Sequence, residues 1–478
     1  MSIKKSFVKA ARPAAFAALA VAVVAALGTP QTAHASAFQL KENSAKALGR
    51  SFAGSATAGG DASVVVNNPA AMTMLTGTVF QADVTAINFS TKFSGTGTDA
   101  FGRPLGGGNG GDGGTTIPVP AFFLSTQVND RTHIGIAFSA PFGFKTNYNP
   151  GWVGRYHGLK SDFQSLDATL SASYDLTDNF SIGASVIAQH TKAELTSAIN
   201  YNGVAAGLIQ QAVAGGVLPA AAAPTYLSTI NTVVPPGSDG EARIKGDDWG
   251  YGWQVGAFWK LTDSDRLALD YHSKISHTLE GNARFTMPSN VSALLGSPMV
   301  APLLAGAGGV PFTNTTGTAP FTTPAFVNLS YWHQAQKYGF GADATWTKWS
   351  VFKELRVNYA NPAQPASVET FDWENTLFVS VGGEYYVNDK LTLRGGVAVD
   401  GTPTSQAHRD PRVPDGTRRW VSVGLGYKPT QKLDLNVGYA HIFVSDAHVN
   451  NLSPTGDRLV GNFSDKGNLL AFSAAYHF

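Results

Sequence analysis

The stretch KLDLNVGY, Lys432 to Tyr439, puts Leu433, Leu435, Val437 and Tyr439 on one face of an extended chain and Asp434, Asn436 and Gly438 on the other. Successive side chains of a strand point to opposite faces, so this is the alternation of a strand between an apolar and a wet surface. It recurs with Leu391, Leu393, Val397 and Val399 opposite Thr392, Arg394, Ala398 and Asp400. Tyr251, Trp253, Val255, Ala257 and Trp259 face away from Gly250, Gly252, Gln254 and Gly256 in the same way, as do Tyr338, Phe340, Ala342, Ala344 and Trp346 from Gly339, Gly341, Asp343 and Thr345. A soluble sandwich also alternates, but its inner face is apolar. Charges on the small-residue face make that face a lumen and turn the apolar face toward lipid.

Composition agrees. Only 14% of the residues are charged while 11% are aromatic, with 52 glycines and a net charge of +1. Nothing in that balance points to nucleic acid as a partner. No cysteine is present, so stability comes without disulfides. Lys4, Lys5, Lys9 and Arg12 precede an apolar run from Ala14 to Leu27, then Ala33-His34-Ala35, the pattern of a secretory signal peptide over residues 1–35. Beyond it, the apolar stretches near Ala205 to Leu218 and Leu294 to Val310 are broken by glycine, proline or Gln210-Gln211. A chain that leaves the cytoplasm and crosses a bilayer without long helices must do so as a closed barrel, because hydrocarbon offers no partner to an unpaired backbone group.

Turn formers mark six tight connections: Val128 to Asp130, Leu176 to Asn179, Thr262 to Asp265, Gln334 to Lys337, Val387 to Asp389 and Lys428 to Lys432. Seven long ones are read at 94–117, 146–160, 197–240, 285–321, 359–370, 402–416 and 447–466. Thirteen connections join fourteen antiparallel strands, an all-β outer-membrane barrel with short periplasmic turns and long outer loops. Its first clear strand is Thr78 to Phe93, and the barrel occupies 78–478. The chain ends in LLAFSAAYHF, with Leu470, Phe472, Ala474, Tyr476 and Phe478 on one face. That ending resembles the signal read by the barrel assembly machinery of Gram-negative bacteria.

Fourteen strands enclose more space than wall side chains fill. Residues 36–77, small and scattered with apolar groups, suit a plug in that space. Within them VVVNNPAAM, Val64 to Met72, packs its valines in the plug while Asn67, Asn68 and Pro69 turn the chain toward the wall; Asn68 and Pro69 are expected to be buried. In THIGIAFSAPFGF, Ile134, Ile136 and Phe138 alternate cleanly before Pro141 removes a ladder donor and Gly143 a side chain. Proline inside a closed barrel means a kink, a bulge or a gap. The strand either breaks there or ends at Ser139. Two outer stretches are unusually apolar, Gly203 to Leu218 and Leu294 to Phe312. Exposed apolar surface of that extent marks an apolar ligand site or two loops that pack together as a lid.

Taken in order, Ala37-Phe38-Gln39-Leu40, Ala47-Leu48-Gly49-Arg50, Gly60-Asp61-Ala62, Asn68-Pro69-Ala70, Trp249-Gly250-Tyr251-Gly252-Trp253, Tyr385-Tyr386 and Pro414-Asp415 with Arg418 and Trp420 resemble the FadL family of long-chain fatty acid and hydrophobic compound transporters. The resemblance implies a fourteen-stranded barrel with an N-terminal hatch and diffusive uptake of hydrophobic molecules. It places Phe38 in an inner pocket, Asn68, Pro69 and Ala70 in the hatch motif, and Ala140, Pro141, Phe142 and Gly143 at a lateral gate. Leu208, Ile209, Val213, Leu218, Leu294 and Leu303 are the candidate capture residues of the apolar loops. Partners are then a hydrophobic small molecule, outer-membrane lipid and lipopolysaccharide, and the assembly machinery during biogenesis, with the chain a monomer. Fatty acid relatives hold the carboxylate with basic residues where this chain has Ser197 and Glu369, a departure that leaves uptake of neutral aromatics as the alternative. Lys192, Lys353 and Arg356 are either substitutes or solvated rim charges.

No signature of a lipolytic or proteolytic site picks out any of the 11 histidines. An ungated porin would need an open lumen, which residues 36–77 oppose. The single GGGNGGDGG, Gly106 to Gly114, is read as a flexible loop, and no metal, cofactor or catalytic residue is assigned.

Overall fold

The computed structural model describes residues 37–301 and 310–478. The leader read at 1–35 and the candidate Leu303 lie outside them. Among the described residues there are twenty β segments, and six walls of the sheet are each made of two consecutive segments, which leaves fourteen walls. In chain order these are Thr78–Thr98, Thr116–Asn129, 132–147, Lys160–Thr177, Phe180–Asn200, Asp239–Lys260, 265–286, 315–334, 338–359, 367–386, Leu391–Asp400, Arg418–Thr430, 433–452 and Arg458–His477. Each pairs antiparallel with the next. The first and last close the ring, in register from Val79↔His477 to Thr98↔Arg458. Closure leaves no terminal edge strand, the requirement for a strand-built membrane span. Among the described residues no helix is long and apolar enough to cross a bilayer.

The alternation read from sequence is the alternation of burial. In the thirteenth wall Asp434, Asn436 and Gly438 face inward and are buried, while Leu435 and Tyr439 point out. Trp253, Val255 and Trp259 of the sixth wall, and Leu470, Phe472 and Tyr476 of the last, are likewise exposed on the outer surface. All six tight connections occur at one end. Three of the expected long connections are markedly shorter, among them 359–370, whose last four residues, Ser367–Thr370, belong to the tenth wall. The stretch 447–466 is mostly wall, because Ala447–Leu452 pairs with Arg458–Phe463 across a turn in which Gly456 has φ +84° and Ser453 bonds Asp457. Similarly, 285–321 yields its last residues to the eighth wall, where the β-branched run from Thr315 pairs with 280–283.

The N-terminal segment, residues 37–77, packs against the inward groups of many walls. It forms the one-turn helices Ala45–Leu48 and Val64–Asn67 and a 3₁₀ helix, Pro69–Met74. Its turns are closed by its own backbone hydrogen bonds, and wall side chains take up other N–H groups: Ala45 N–H donates to Asp83 (2.8 Å), Ala62 N–H to Gln81 (2.9 Å) and Gly54 N–H to Asp343 (2.7 Å). Gln254 donates to Val66 O, and Ser171 to Val65 O. Arg50 pairs with Glu384, which also accepts from Arg394 at 2.8 Å. Such a network leaves few buried polar groups unpaired where a hydrophobic core could not serve.

Asn68 explains the placement of its asparagine-proline pair. Extended at φ −167°, it separates the two helices; its Oδ1 accepts from Ala70 N–H at 3.0 Å and caps the turn that Pro69 opens. Its Nδ2 donates to Ala257 O (3.2 Å) and Leu269 O (3.1 Å) in the sixth and seventh walls. The approach requires Gly256, where a Cβ would lie 2.0 Å from Asn68 Oδ1. Both Asn68 and Pro69 are buried.

Candidate functional site

Pro141 decides the geometry of the third wall. Thr132–Ser139 pairs on both sides, with the second wall up to Phe122↔Phe138 and with the fourth up to Ser139↔Asp167. The ladder then stops over 140 and 141; Phe142 O again accepts from Ser165 N–H at 2.9 Å, and the strand resumes at Gly143–Asn147. The wall therefore both ends at Ser139 and continues. Among the described residues the resumed segment pairs with the fourth wall alone, from Gly143↔Gln164 to Asn147↔Lys160. Opposite it, Thr116 to Ala121 of the second wall pair with the first wall and not with the third. An opening in the ladder results, bounded above where Asn147 N–H donates to Gly113 O at 2.8 Å.

The N-terminal segment supplies the groups that the break leaves unpaired. Leu40 N–H donates to Pro141 O (2.7 Å), and Gly143 N–H donates to Phe38 O (2.9 Å). Phe38, 4% exposed, is thereby fixed beside the break. Its ring lies 4.8 Å from Trp349, 5.1 Å from Phe163 and 5.4 Å from both Phe144 and Trp373, between ring centroids. Arg418 holds the preceding residue by donating to Ala37 O and is itself fixed by Asp415 at 2.9 Å.

Two cavities share Phe38, Phe144, Arg412 and Val413. The first is lined by Phe163, Leu195, Ile244, Leu279, Phe321, Phe352, Leu355 and Phe371. The second runs past Ile87, Phe89 and Ile117 to Gly143, Lys145 and Thr146, the two margins of the opening. Below the break lies a third cavity of different character, lined by Gln39, Lys41, Asn43, Ser139, Pro141, Asp167, Gln254, His272 and Asp343.

Arg412 stands out as the buried cation common to the two upper cavities. It sits on the connection 401–417, which folds inward: Thr146 donates to Arg412 O (3.1 Å) and Tyr148 to Pro411 O (2.8 Å). Glu369 faces it at 3.6 Å. Burial, reinforced by the negative charge of Glu369 and opposed by Arg412, pushes Asp410 up to about 7.

The candidates drawn from sequence divide into groups. Phe38, Phe142 and Gly143 come together with the aromatic cluster and the opening, whereas Ala140 and Pro141 line the polar side. Leu208, Ile209, Val213, Leu218 and Leu294 meet instead in a separate cluster built by the helices Tyr201–Ala214, Ala223–Val233 and Ser289–Leu295, and line neither upper cavity. Their apolar faces satisfy one another, as expected of a lid. Lys353 pairs with Asp372 at an exposed position, Arg356 is half-buried and pairs with Glu354, and Lys192 is exposed; none of the three lines either upper cavity. Asp112 of the glycine-rich loop accepts from Ser90, Thr91 and Gly114, an ordinary structural role. Sequence reading missed Arg412, Trp349 and Trp373. The only local signal was the density of charge in Arg409-Asp410-Pro411-Arg412 and of rings in Phe371-Asp372-Trp373.

A closed fourteen-wall barrel with a buried N-terminal segment finds its relatives readily. The family model described as outer membrane protein transport protein (OMPP1/FadL/TodX) matches residues 25–478. The chain belongs to this family. Outer membrane protein P1 of Haemophilus influenzae is 28% identical over 462 residues, covering 92% of each chain. The long-chain fatty acid transport protein of Escherichia coli K12 is 26% identical, covering 91% of this chain and 94% of its own length. The crystal structure of a Pseudomonas aeruginosa FadL homologue superimposes with a TM-score of 0.82 at 30% identity, over 93% of this chain and all of that one. The Pseudomonas putida toluene transporter TodX shares the fold, with a TM-score of 0.63 at 18% identity over 92% of this chain and 100% of that one. This FadL/TodX family member is a transporter of hydrophobic compounds in the outer membrane of a Gram-negative bacterium.

Proposed function

We propose that the chain takes up long-chain fatty acids by diffusion, with residues 36–77 as a hatch and residues 1–35 as the export signal. Apolar cargo is captured by the loop cluster around Ile209 and Leu294, passes to the aromatic cavity, and leaves sideways between the second and third walls into the membrane. Phe38 separates the stations: it closes the first cavity, and its backbone is bonded to the margin of the opening. The observation that carries this reading is that two largely apolar cavities adjoin at Phe38, Phe144 and Val413, the second of them reaching that opening. Joined end to end, they suit an extended acyl chain better than a single ring. The fatty acid transport proteins among the relatives, at 26–28% identity, support the same cargo. No catalytic step is needed, since a solute moving down its gradient through an apolar route requires only a path and a gate. The chain acts as a monomer, inserted by the barrel assembly machinery among outer-membrane lipid and lipopolysaccharide.

A second reading, uptake of neutral monoaromatic hydrocarbons, draws on Ser197 and Glu369, where fatty acid relatives carry basic residues. Reconstitution in lipid vesicles separates the two. Oleate is expected to enter at a rate that depends on the protein, and toluene entry alone would replace the first reading by the second.

A further inference from the structure

From the geometry around Arg412 we infer a carboxylate subsite: its guanidinium receives the ligand's headgroup by displacing Glu369, a resident anion that keeps the site neutral when empty. The inference rests on the fatty acid reading and assigns the group that recognises the acid.

Arg412 is 6% exposed and lies where the two upper cavities meet. Its Nη1 donates to Thr196 O (3.1 Å) and Ser161 Oγ (3.3 Å), both neutral acceptors. Toward Glu369 the geometry is loose. Oε1 stands 3.6 Å from Nε, outside hydrogen-bond range, and both Nε and Glu369 Oε2 are buried without a hydrogen-bond partner. A well-made guanidinium–carboxylate pair closes to about 2.7–2.9 Å with two parallel bonds. A buried ion pair that leaves donors and acceptors unfilled recovers little of its desolvation cost. The arrangement therefore holds a charge in place while keeping one edge of the fork available.

Glu369 also has somewhere to go. It lines a polar hollow on the other side, with His157, Thr370, His408 and Asp410. When a ligand carboxylate occupies Nε, Glu369 can turn into this hollow and be hydrated, so the exchange trades one anion for another without uncovering the cation. Position 158 is part of the same device. A Cβ on Gly158 would lie 3.1 Å from Arg412 Cγ and 3.3 Å from Nη1, so the missing side chain leaves the room across which Arg412 lies. Because Thr146 bonds Arg412 O, the anchor is attached to the margin of the lateral opening.

Oleate and methyl oleate differ by one negative charge and share the acyl chain. Their competition for a fluorescent fatty acid bound to the intact, detergent-solubilised protein reads the acid-over-ester preference. Loss of a charge-assisted contact predicts that Arg412→Gln lowers this preference by about tenfold or more. Glu369→Gln removes the competing anion and raises it, and Gly158→Ala, which displaces Arg412, lowers it. Opposite shifts in the Arg412 and Glu369 variants cannot arise from misfolding. An unchanged preference in Arg412→Gln, with oleate still bound, overturns the subsite and leaves the fatty acid reading intact. A wild-type protein that binds the ester but not oleate overturns that reading, and the subsite with it.

Discussion

The two sides of the break in the third wall are made from the same kind of strand and differ in how many polar groups line them. Above it, Phe38, Phe144, Phe163 and their neighbours form a space with almost no polar surface except at Arg412. Below it, Lys41, Asp167, His272 and Asp343 line the space, and the N-terminal segment is bonded to many such groups. An acyl chain gains nothing by entering the lower side, where it would strip hydration from charges. The N-terminal segment needs that lower side, because its irregular backbone must find donors and acceptors. Pro141 stands at the boundary, so the interruption that opens the wall lies where the two environments part.

The strongest way to break this comparison is to unseat the hatch from its polar side. Gly256→Val would press a side chain onto Asn68, whose Oδ1 already stands 2.0 Å from the position of a Cβ. The expected result in planar bilayers is ion conductance rising toward that of an open pore, because fourteen walls alone do not fill their lumen. Next in size is a polar group placed above the break. Leu279→Asn buries an amide without a partner at a cost of ~1–3 kcal/mol, which weakens oleate binding by about ten- to a hundredfold. The same asparagine at Ala140, on the polar side, is expected to change affinity far less; equal losses at both sites would erase the distinction.

A smaller effect is expected from pH. Asp410 sits at about 7, well above the usual carboxylate range, with Glu369 and Arg412 facing it and His157 next to Arg412. As pH rises through 7 it gains a negative charge that competes with a ligand carboxylate for Arg412, so oleate affinity falls between pH 6 and 8. Asp410→Asn should flatten that slope, and a slope unchanged by the substitution would assign it to another group. Smallest of all, Lys353→Ala and Arg356→Ala remove largely solvated ion pairs that contribute little. Oleate uptake should stay near the wild-type rate in both.

What could be read from sequence, and what could not, follows the range of the interactions. Alternation is local, so KLDLNVGY and its counterparts identify walls, and Pro141 announces a break because a missing N–H acts at its own position. The length of 447–466 was misjudged because its polar residues serve a wall pairing with 458–463, a contact invisible in either stretch alone. Ile209 and Leu294 were visible as apolar loop residues, but their mutual packing depends on how two distant loops meet. Arg412 and Trp373 were harder still. Each acquires its meaning from residues far away in the chain, Arg412 from Ser161, Thr196 and Glu369, and Trp373 from Phe38 and Trp349.

Those two tryptophans permit the most direct test of where the cargo sits. Trp349 and Trp373 are fully buried within the cluster around Phe38, whereas Trp332 is fully buried beside the hatch at Gly54. A fatty acid brominated along its chain quenches indole fluorescence on contact. Titrated into the purified protein, it is predicted to quench a component that disappears in the Trp349→Phe, Trp373→Phe double variant and survives in Trp332→Phe. Quenching of the same size in the double variant would place the acyl chain outside the aromatic cavity and contradict the route described.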